Sequence, residues 1–517
     1  MPWDWKPQAE ELQSVLQLIK ILSDDDLCDT DVRTNAWKII DELGLFPDFY
    51  YCLFYVVIKL TNEEETVRSL SAFVLSYKIS EHEGNLVITD SLKEDCLMAL
   101  INPSPKIREE VANLICVIVR KDGLVTWPNL IPILCDMLHS QACTPNYSGC
   151  EKANGALEVL KNMFGYDAVG YEGYDETPII NPLLDNHLNV LITKFEPLSN
   201  HQCAEQNQIR SNLLLLMASI VILWRTELHN DHADAFIETF LRLLTDEMDV
   251  TVSANSCKGL CMVLKYRKDR LMLYLNQIIE CMLKHSQTCN DDVIAPEAME
   301  FWRILATQPG CQDQLGPYLP RLVPILIRGL RYKSKHLVFE EDVEDLTGQL
   351  MRMQTGNKNG SMDEDSQDDD TLPSWHNSNL RMSIVGALNA LANAFGERIL
   401  TILYPLLDET VFNQVCEIKE SGILALGAIA EGCMQEIEPD LPELIFYLIS
   451  CLSDKKAFVR YTTCWALSKY ANWVVVQPNP DQYLKPLMQE LLKLSVDPNE
   501  YVRKEADSTE KVFNEAF

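Results

Sequence analysis

The stretch that decides the fold runs from Glu420 to Val476: ESGILALGAIAEGCM, a short polar gap, DLPELIFYLISCL, then SDKKAFVRYTTCWALSKYANWVVV. Apolar residues Leu441, Leu444, Ile445, Leu448, Ile449 and Leu452 recur at helical spacing. Ser453 to Lys456 makes a turn, and the apolar series resumes at Phe458, Val459, Tyr461, Cys464, Trp465 and Leu467. Neither helix can cover its apolar side alone, so this is one unit of a stack.

Working outward, nearly every segment from Ala9 onward reads as a helix, and helices come in pairs. The expected pairs are 9–22 with 32–45, 47–60 with 65–79, 89–101 with 105–120, 127–140 with 149–164, 181–195 with 206–225, and 231–245 with 249–267. The series continues as 270–285 with 292–307, 318–331 with a distant 379–395, 399–408 with 414–432, 440–452 with 455–473, and 482–494 with 500–515. Period-two strand signals are absent over any useful length. Two marks recur. An Asn or Asp stands six residues before an Arg at Asn62 and Arg68, Asn102 and Arg108, Asp454 and Arg460, and Asp497 and Arg503. Such an Arg, one turn into the second helix, can reach the neighbouring turn and build a ladder along the stack. Proline opens first helices at Pro128, Pro320 and Pro442, where it costs no hydrogen bond. A two-helix recurrence of roughly 40 residues predicts an all-α, HEAT-repeat superhelical solenoid.

The pattern breaks between Tyr332 and Trp375, where the chain turns polar and acidic around Glu340, Glu341, Asp342, Asp363, Glu364, Asp365, Asp368, Asp369 and Asp370. This composition buries too little apolar surface to order itself, so a long loop interrupting the eighth hairpin is expected.

At 517 residues the chain exceeds what one hydrophobic core serves. Its net charge of −32 disfavours phosphate-rich partners, so neither nucleic acid nor anionic membrane is expected. The 17 cysteines include no CxxC pair and mostly sit among apolar neighbours, as buried thiols of a reducing compartment do. The start of the sequence lacks a signal-peptide core, and the longest apolar run, Leu213 to Trp224, is too short for a bilayer. Catalytic motifs and phosphate-binding Gly-rich loops are missing, and neither an enzyme nor a cofactor is expected. His229, His232, Asp231 and Asp234 could hold a metal, but a polar helix start explains them more simply. A binding surface remains. Trp465, Lys469 and Trp473 follow at i, i+4 and i+8, with Tyr461 behind them, as one stripe of a second helix.

The segments ESGILALGAIAEGCM, CLSDKKAFVR, TCWALSKYANWVV, PDFYYCLFYVVIKL, ETVRSLSAFVL, GLVTWPNLIPIL and DQYLKPLMQELLKL together resemble the transportins, karyopherin-β nuclear import receptors. The likeness runs in order over essentially the whole chain and is looser from about 138 to 228. It implies cargo signals carrying a basic or hydrophobic segment, an Arg and a Pro-Tyr pair, and partners that include Ran-GTP and the Phe-Gly repeat proteins of the nuclear pore. It implies shuttling between cytoplasm and nucleus. By the same resemblance, 1–331 forms a Ran-binding arch, 332–373 an acidic loop that couples Ran to cargo release, and 374–517 the start of the cargo arch.

The family's cargo pocket maps onto Trp465 and Leu424. Its isoleucine becomes Thr462, its arginine Lys469, an alanine falls at Gly386, an aspartate becomes Asn389, and an acidic contact matches Glu515. Transportins run to about twenty repeats. This chain stops near the eleventh, so the expectation is a fragment of a longer receptor or a divergent one with a partial cargo site. A passive HEAT scaffold, without Ran sensitivity, is the competing expectation.

Overall fold

The computed structural model describes residues 5–23, 30–81, 88–139, 147–164, 204–225, 228–246, 249–287, 293–331 and 379–516. Among them the regular structure is helical and no strand occurs. Internal contacts divide the chain into two compact units, 1–271 and 272–517. The boundaries at 331 and 373, expected from binding roles, both fall within the second unit.

In the first unit the helices are α1 (Ala9–Ser23), α2 (Thr30–Leu43), α3 (Pro47–Ile58), α4 (Glu65–Glu81), α5 (Asp90–Ala99), α6 (Pro105–Asp122), α7 (Leu130–His139), α8 (Tyr147–Phe164), α9 (Ala204–Trp224), α10 (Asn230–Asp246) and α11 (Val250–Tyr266). The helix expected at 181–195 lies outside the described residues. Second helices stack in chain order, α4 on α6, α6 on α8, α8 on α9 and α9 on α11. Helix starts follow local chemistry: Ser104 accepts from the Ile107 N–H at 3.2 Å, and Asp249 from Thr251 and Val252 at 3.0 Å each.

The second unit holds α12 (Leu275–Gln287), α13 (Ile294–Thr307), α14 (Leu319–Gly329), α15 (Asn379–Phe395), α16 (Glu397–Val411), α17 (Cys416–Ile437), α18 (Leu441–Cys451), α19 (Ala457–Lys469), the short α20 (Ala471–Val475), α21 (Asp481–Leu494) and α22 (Glu500–Ala516). First helices α14, α16, α18 and α21 each back onto a second helix, α15, α17, α19 and α22. The second helices pack in an unbroken row, α13–α15–α17–α19–α22. One expected helix is two: the segment read as 455–473 breaks at Tyr470, whose phenol is buried and donates to the Leu426 carbonyl at 2.9 Å.

The arginine ladder exists, and it is most complete in the second unit. Arg460 donates to the Asp454 carbonyl of its own turn at 2.9 Å and clasps Asp497 of the next turn with two hydrogen bonds of 2.8 Å. Arg503 repeats the contact on the Asp497 carbonyl at 2.6 Å, and Lys419 reaches forward to Asp454 at 2.9 Å. In the first unit Arg108 donates to the Asn102 carbonyl of its own turn at 2.7 Å. Arg68 departs from the pattern and reaches back to the Val57 carbonyl at 2.7 Å.

Helix α17 sits at the centre of the row, and its glycines explain how. Gly422, Gly427 and Gly432 are five residues apart, so they point about 140° from one another around the helix. A Cβ at Gly422 would strike Thr410 and Val411 at the end of α16; one at Gly427 would enter the Trp465 ring of α19; one at Gly432 would meet the α15 backbone at Asn393. Each glycine admits a different neighbour to close approach.

Candidate binding surface on the second helices

Trp465 projects from α19 onto Gly427 of α17 and remains half-buried. Lys469, one turn on and exposed, places its Nζ 5.1 Å from the Trp465 ring centroid, a cation–π contact. Leu424 lies one turn before Gly427 on α17 and is buried. Beside Lys469 stands Glu505 of α22. Burial pushes its carboxyl above the usual range, while Lys469 and a hydrogen bond with Tyr461 oppose the rise. The surface thus offers an aromatic edge, an exposed cation and a carboxylate held near it.

The other expected residues fall into different places. Thr462 is buried, and its hydroxyl donates to Glu420 at 2.7 Å. Glu420 also takes Arg381 Nη2 with both oxygens, at 2.7 and 2.6 Å, so α15, α17 and α19 are tied by one buried polar cluster. Asn389 is half-buried; it donates to Glu431 at 3.3 Å and accepts from Asn393 at 2.7 Å. Gly386 is half-buried and faces Arg303 of α13, itself held by Glu300 at 2.6 Å. Glu515 is exposed, ten residues beyond Glu505 and so about 15 Å further along α22.

The expected stripe is split. Trp465 and Lys469 reach the surface, whereas Tyr461 and Trp473 are buried at 4% and 7% exposure. Trp473 belongs to α20, and its indole N–H points to Glu438 at 3.4 Å. Glu505, Glu431 and Gly427 were not singled out by the sequence; the only signal for Gly427 was a small residue amid the apolar run of α17.

Glu340, Glu341, Asp342, Asp363, Glu364, Asp365, Asp368, Asp369 and Asp370 lie outside the described residues. At the polar start of α10, Asp234 is taken by Arg270 at 2.9 Å, and His229 Nδ1 stands 3.5 Å from Asp231. The described cysteines are free thiols, most of them buried; burial pushes those of Cys96 and Cys116 up to about 12. No helix among the described residues is long and apolar enough to cross a membrane.

A HEAT-like repeat family matches residues 417–470, the hairpin stretch on which the sequence reading began. Transportin-1 of Mus musculus is 39% identical over 531 residues, which cover 98% of this chain and 56% of the relative. Among solved structures, importin β in an ammonium sulfate condition aligns with a TM-score of 0.70 at 16% identity, over 98% of this chain and 56% of that one. Yeast importin β (Kap95p), in a structure concerned with its effect on the switch loops of RanGDP, aligns with a TM-score of 0.61 at 18% identity, over the same shares of the two chains. The chain therefore has the HEAT-repeat solenoid fold and spans about half the length of the curated relatives it matches.

Proposed function

Because the chain belongs to the karyopherin-β family, in its transportin branch, we propose that it works in nuclear protein import by binding cargo signals on the second helices of its second unit. The observation that carries this reading is Trp465: a tryptophan seated on Gly427, half-open to solvent, with Lys469 at its face and Glu505 alongside. An aromatic wall of this kind suits the ring and proline of a Pro-Tyr pair. Glu505 and Glu431 supply negative charge for the arginine that precedes it. Lys469 covers the ring in the empty site and is displaced when the ligand stacks there. Its charge is that of the family's arginine, without the planar fork.

Thr462 acts from behind this surface. Its hydroxyl holds Glu420 and thereby fixes the angle between α17 and α19. Release follows the family's logic: Ran-GTP engages the first repeats, and the acidic segment 336–372 shifts the balance from the cargo-bound state to the Ran-bound one. The mechanism is binding and release, with no covalent step. Phe-Gly repeat proteins complete the set of partners, and the chain shuttles between cytoplasm and nucleus.

The test is a labelled peptide carrying an Arg and a C-terminal Pro-Tyr pair, titrated with the chain and then challenged with Ran. The reading predicts binding, displacement by Ran-GTP and none by Ran-GDP. A peptide that does not bind, or one that neither form of Ran displaces, contradicts it. Deleting 336–372 should leave Ran-GTP binding intact and abolish displacement; displacement that persists removes the loop from the mechanism.

A further inference from the structure

The first helices of the second unit leave a slot between α16 and α18, with a volume of about 550 Å³. Its walls are apolar: Leu407, Val411, Leu426, Ile437 and Leu444 line it. Two tyrosines bridge it. The Tyr404 hydroxyl donates to the Asp440 carboxylate at 3.0 Å, and the Tyr447 hydroxyl donates to the Val411 carbonyl at 2.7 Å. The two bridges are seven residues apart on both helices (404 to 411, and 440 to 447). Thus α16 and α18 run in parallel at constant register, and the bridges stand about 10 Å from each other. Phe412, exposed, packs edge-on against Tyr447 with ring centroids 4.7 Å apart and marks one end.

The same register brings Asp408 of α16 level with Leu444 of α18, next to Glu443, between the two bridges. Both are exposed and both line the slot. No Lys, Arg or His lines it, and among the described residues neither carboxylate has an ion-pair partner. Asp440 is already satisfied by Tyr404, whose phenol burial and Asp440 push up to about 12, so it stays a donor at neutral pH. Asp408 and Glu443 are left as like charges across an apolar opening. That arrangement favours a cation between them. The volume lies within the range of sites that take a ligand of side-chain to small-molecule size.

We propose that this slot binds a protein segment in which a Lys or Arg stands within one to three residues of a bulky apolar residue. The apolar side chain enters between Leu407 and Leu444, and the cation lodges between Asp408 and Glu443. The site is separate from the Trp465 surface, because neither Trp465 nor Lys469 lines it, and it does not depend on the import reading.

The test uses the full chain and a fluorescein-labelled peptide with the core Gly-Ser-Lys-Phe-Lys-Ser-Gly, read by fluorescence polarisation. Two comparison peptides replace both lysines by glutamate, or the phenylalanine by serine. Each comparison peptide should bind about tenfold more weakly or worse. The double variant Asp408→Asn with Glu443→Gln, which alters only exposed side chains, should weaken the lysine peptide about tenfold and erase its advantage over the glutamate peptide. Trp465→Ala should leave it unchanged. Equal binding of the lysine and glutamate peptides, unchanged binding to the double variant, loss of binding in Trp465→Ala, or no binding at all overturns the proposal. So does a cation-free Phe-Gly peptide that binds as tightly and ignores the double variant; that result assigns the slot to neutral aromatic segments.

Discussion

Two seams of the second unit meet the same problem and solve it differently. Between the second helices α15, α17 and α19, side chains fill the seam from within: Trp465 lies on Gly427, Tyr470 donates to Leu426, and Arg381, Glu420 and Thr462 form a buried cluster. Between the first helices α16 and α18, two tyrosine bridges hold the walls apart, and the space between them stays open. In the row of second helices, small residues allow backbones to approach and large side chains interdigitate, and Trp465 stays half-open beside Lys469. In the first-helix seam the phenols act as struts. The contrast teaches that repeats of one architecture acquire different binding character according to which side chains occupy the seam, while the helices themselves scarcely differ.

The comparison can be broken at several points, and the largest effect is expected at Glu420. Replacing it by Ala removes the carboxylate that takes two hydrogen bonds from the buried Arg381, 6% exposed, and should cost about 3–5 kcal/mol in denaturant unfolding of the second unit. A loss under about 1 kcal/mol would mean that the cluster is not load-sharing across α15, α17 and α19. Gly427→Val forces a side chain into the Trp465 ring and should cost about 1–3 kcal/mol, with a change in tryptophan fluorescence. A variant as stable as the parent, with unchanged emission, would show that the α17–α19 seam has slack.

The ladder gives a pH signature. Burial opposes ionisation of Asp454, but hydrogen bonds from Lys419 and from the Lys456 N–H outweigh it and hold its carboxyl below the ordinary value. A depressed carboxyl binds fewer protons folded than unfolded, so its stabilisation is present above the unfolded carboxylate range and is lost as pH falls through the folded value. Melting temperatures of parent and Asp454→Asn should therefore converge on acidification; a constant gap would contradict the assignment. The smallest effect is expected in the slot: Leu444→Phe adds bulk to open space and should change stability by less than about 1 kcal/mol, in the stabilising direction. The opposite signs expected at Gly427 and Leu444 sharpen the contrast between the seams.

Much of this was legible in the sequence. The helical hairpins followed from apolar spacing, and the Asp454–Arg460 and Asp497–Arg503 marks foretold a ladder because an i, i+6 contact across one turn is local. The contacts that shape the candidate site are not local. Thr462 read as a polar change in the family's pocket, yet its partner Glu420, and the Arg381 that Glu420 holds, belong to other repeats. The stripe from Trp465 to Trp473 assumed one straight helix; Tyr470 ends it because its hydroxyl is claimed by Leu426, 44 residues away. Glu505 carried no mark, because its place beside Lys469 depends on how α22 packs on α19. Tyr404 and Tyr447 carried no mark at all, because their roles as struts depend on the register between α16 and α18.

The measurement that bears most directly on the account is the affinity of an Arg…Pro-Tyr peptide for the parent chain and for Trp465→Ala, by calorimetric titration with folding checked by circular dichroism. The account predicts that the alanine variant binds at least about tenfold more weakly, the cost of losing an aromatic anchor. Equal affinities in two equally folded proteins would contradict it and remove the second-helix surface as the cargo site.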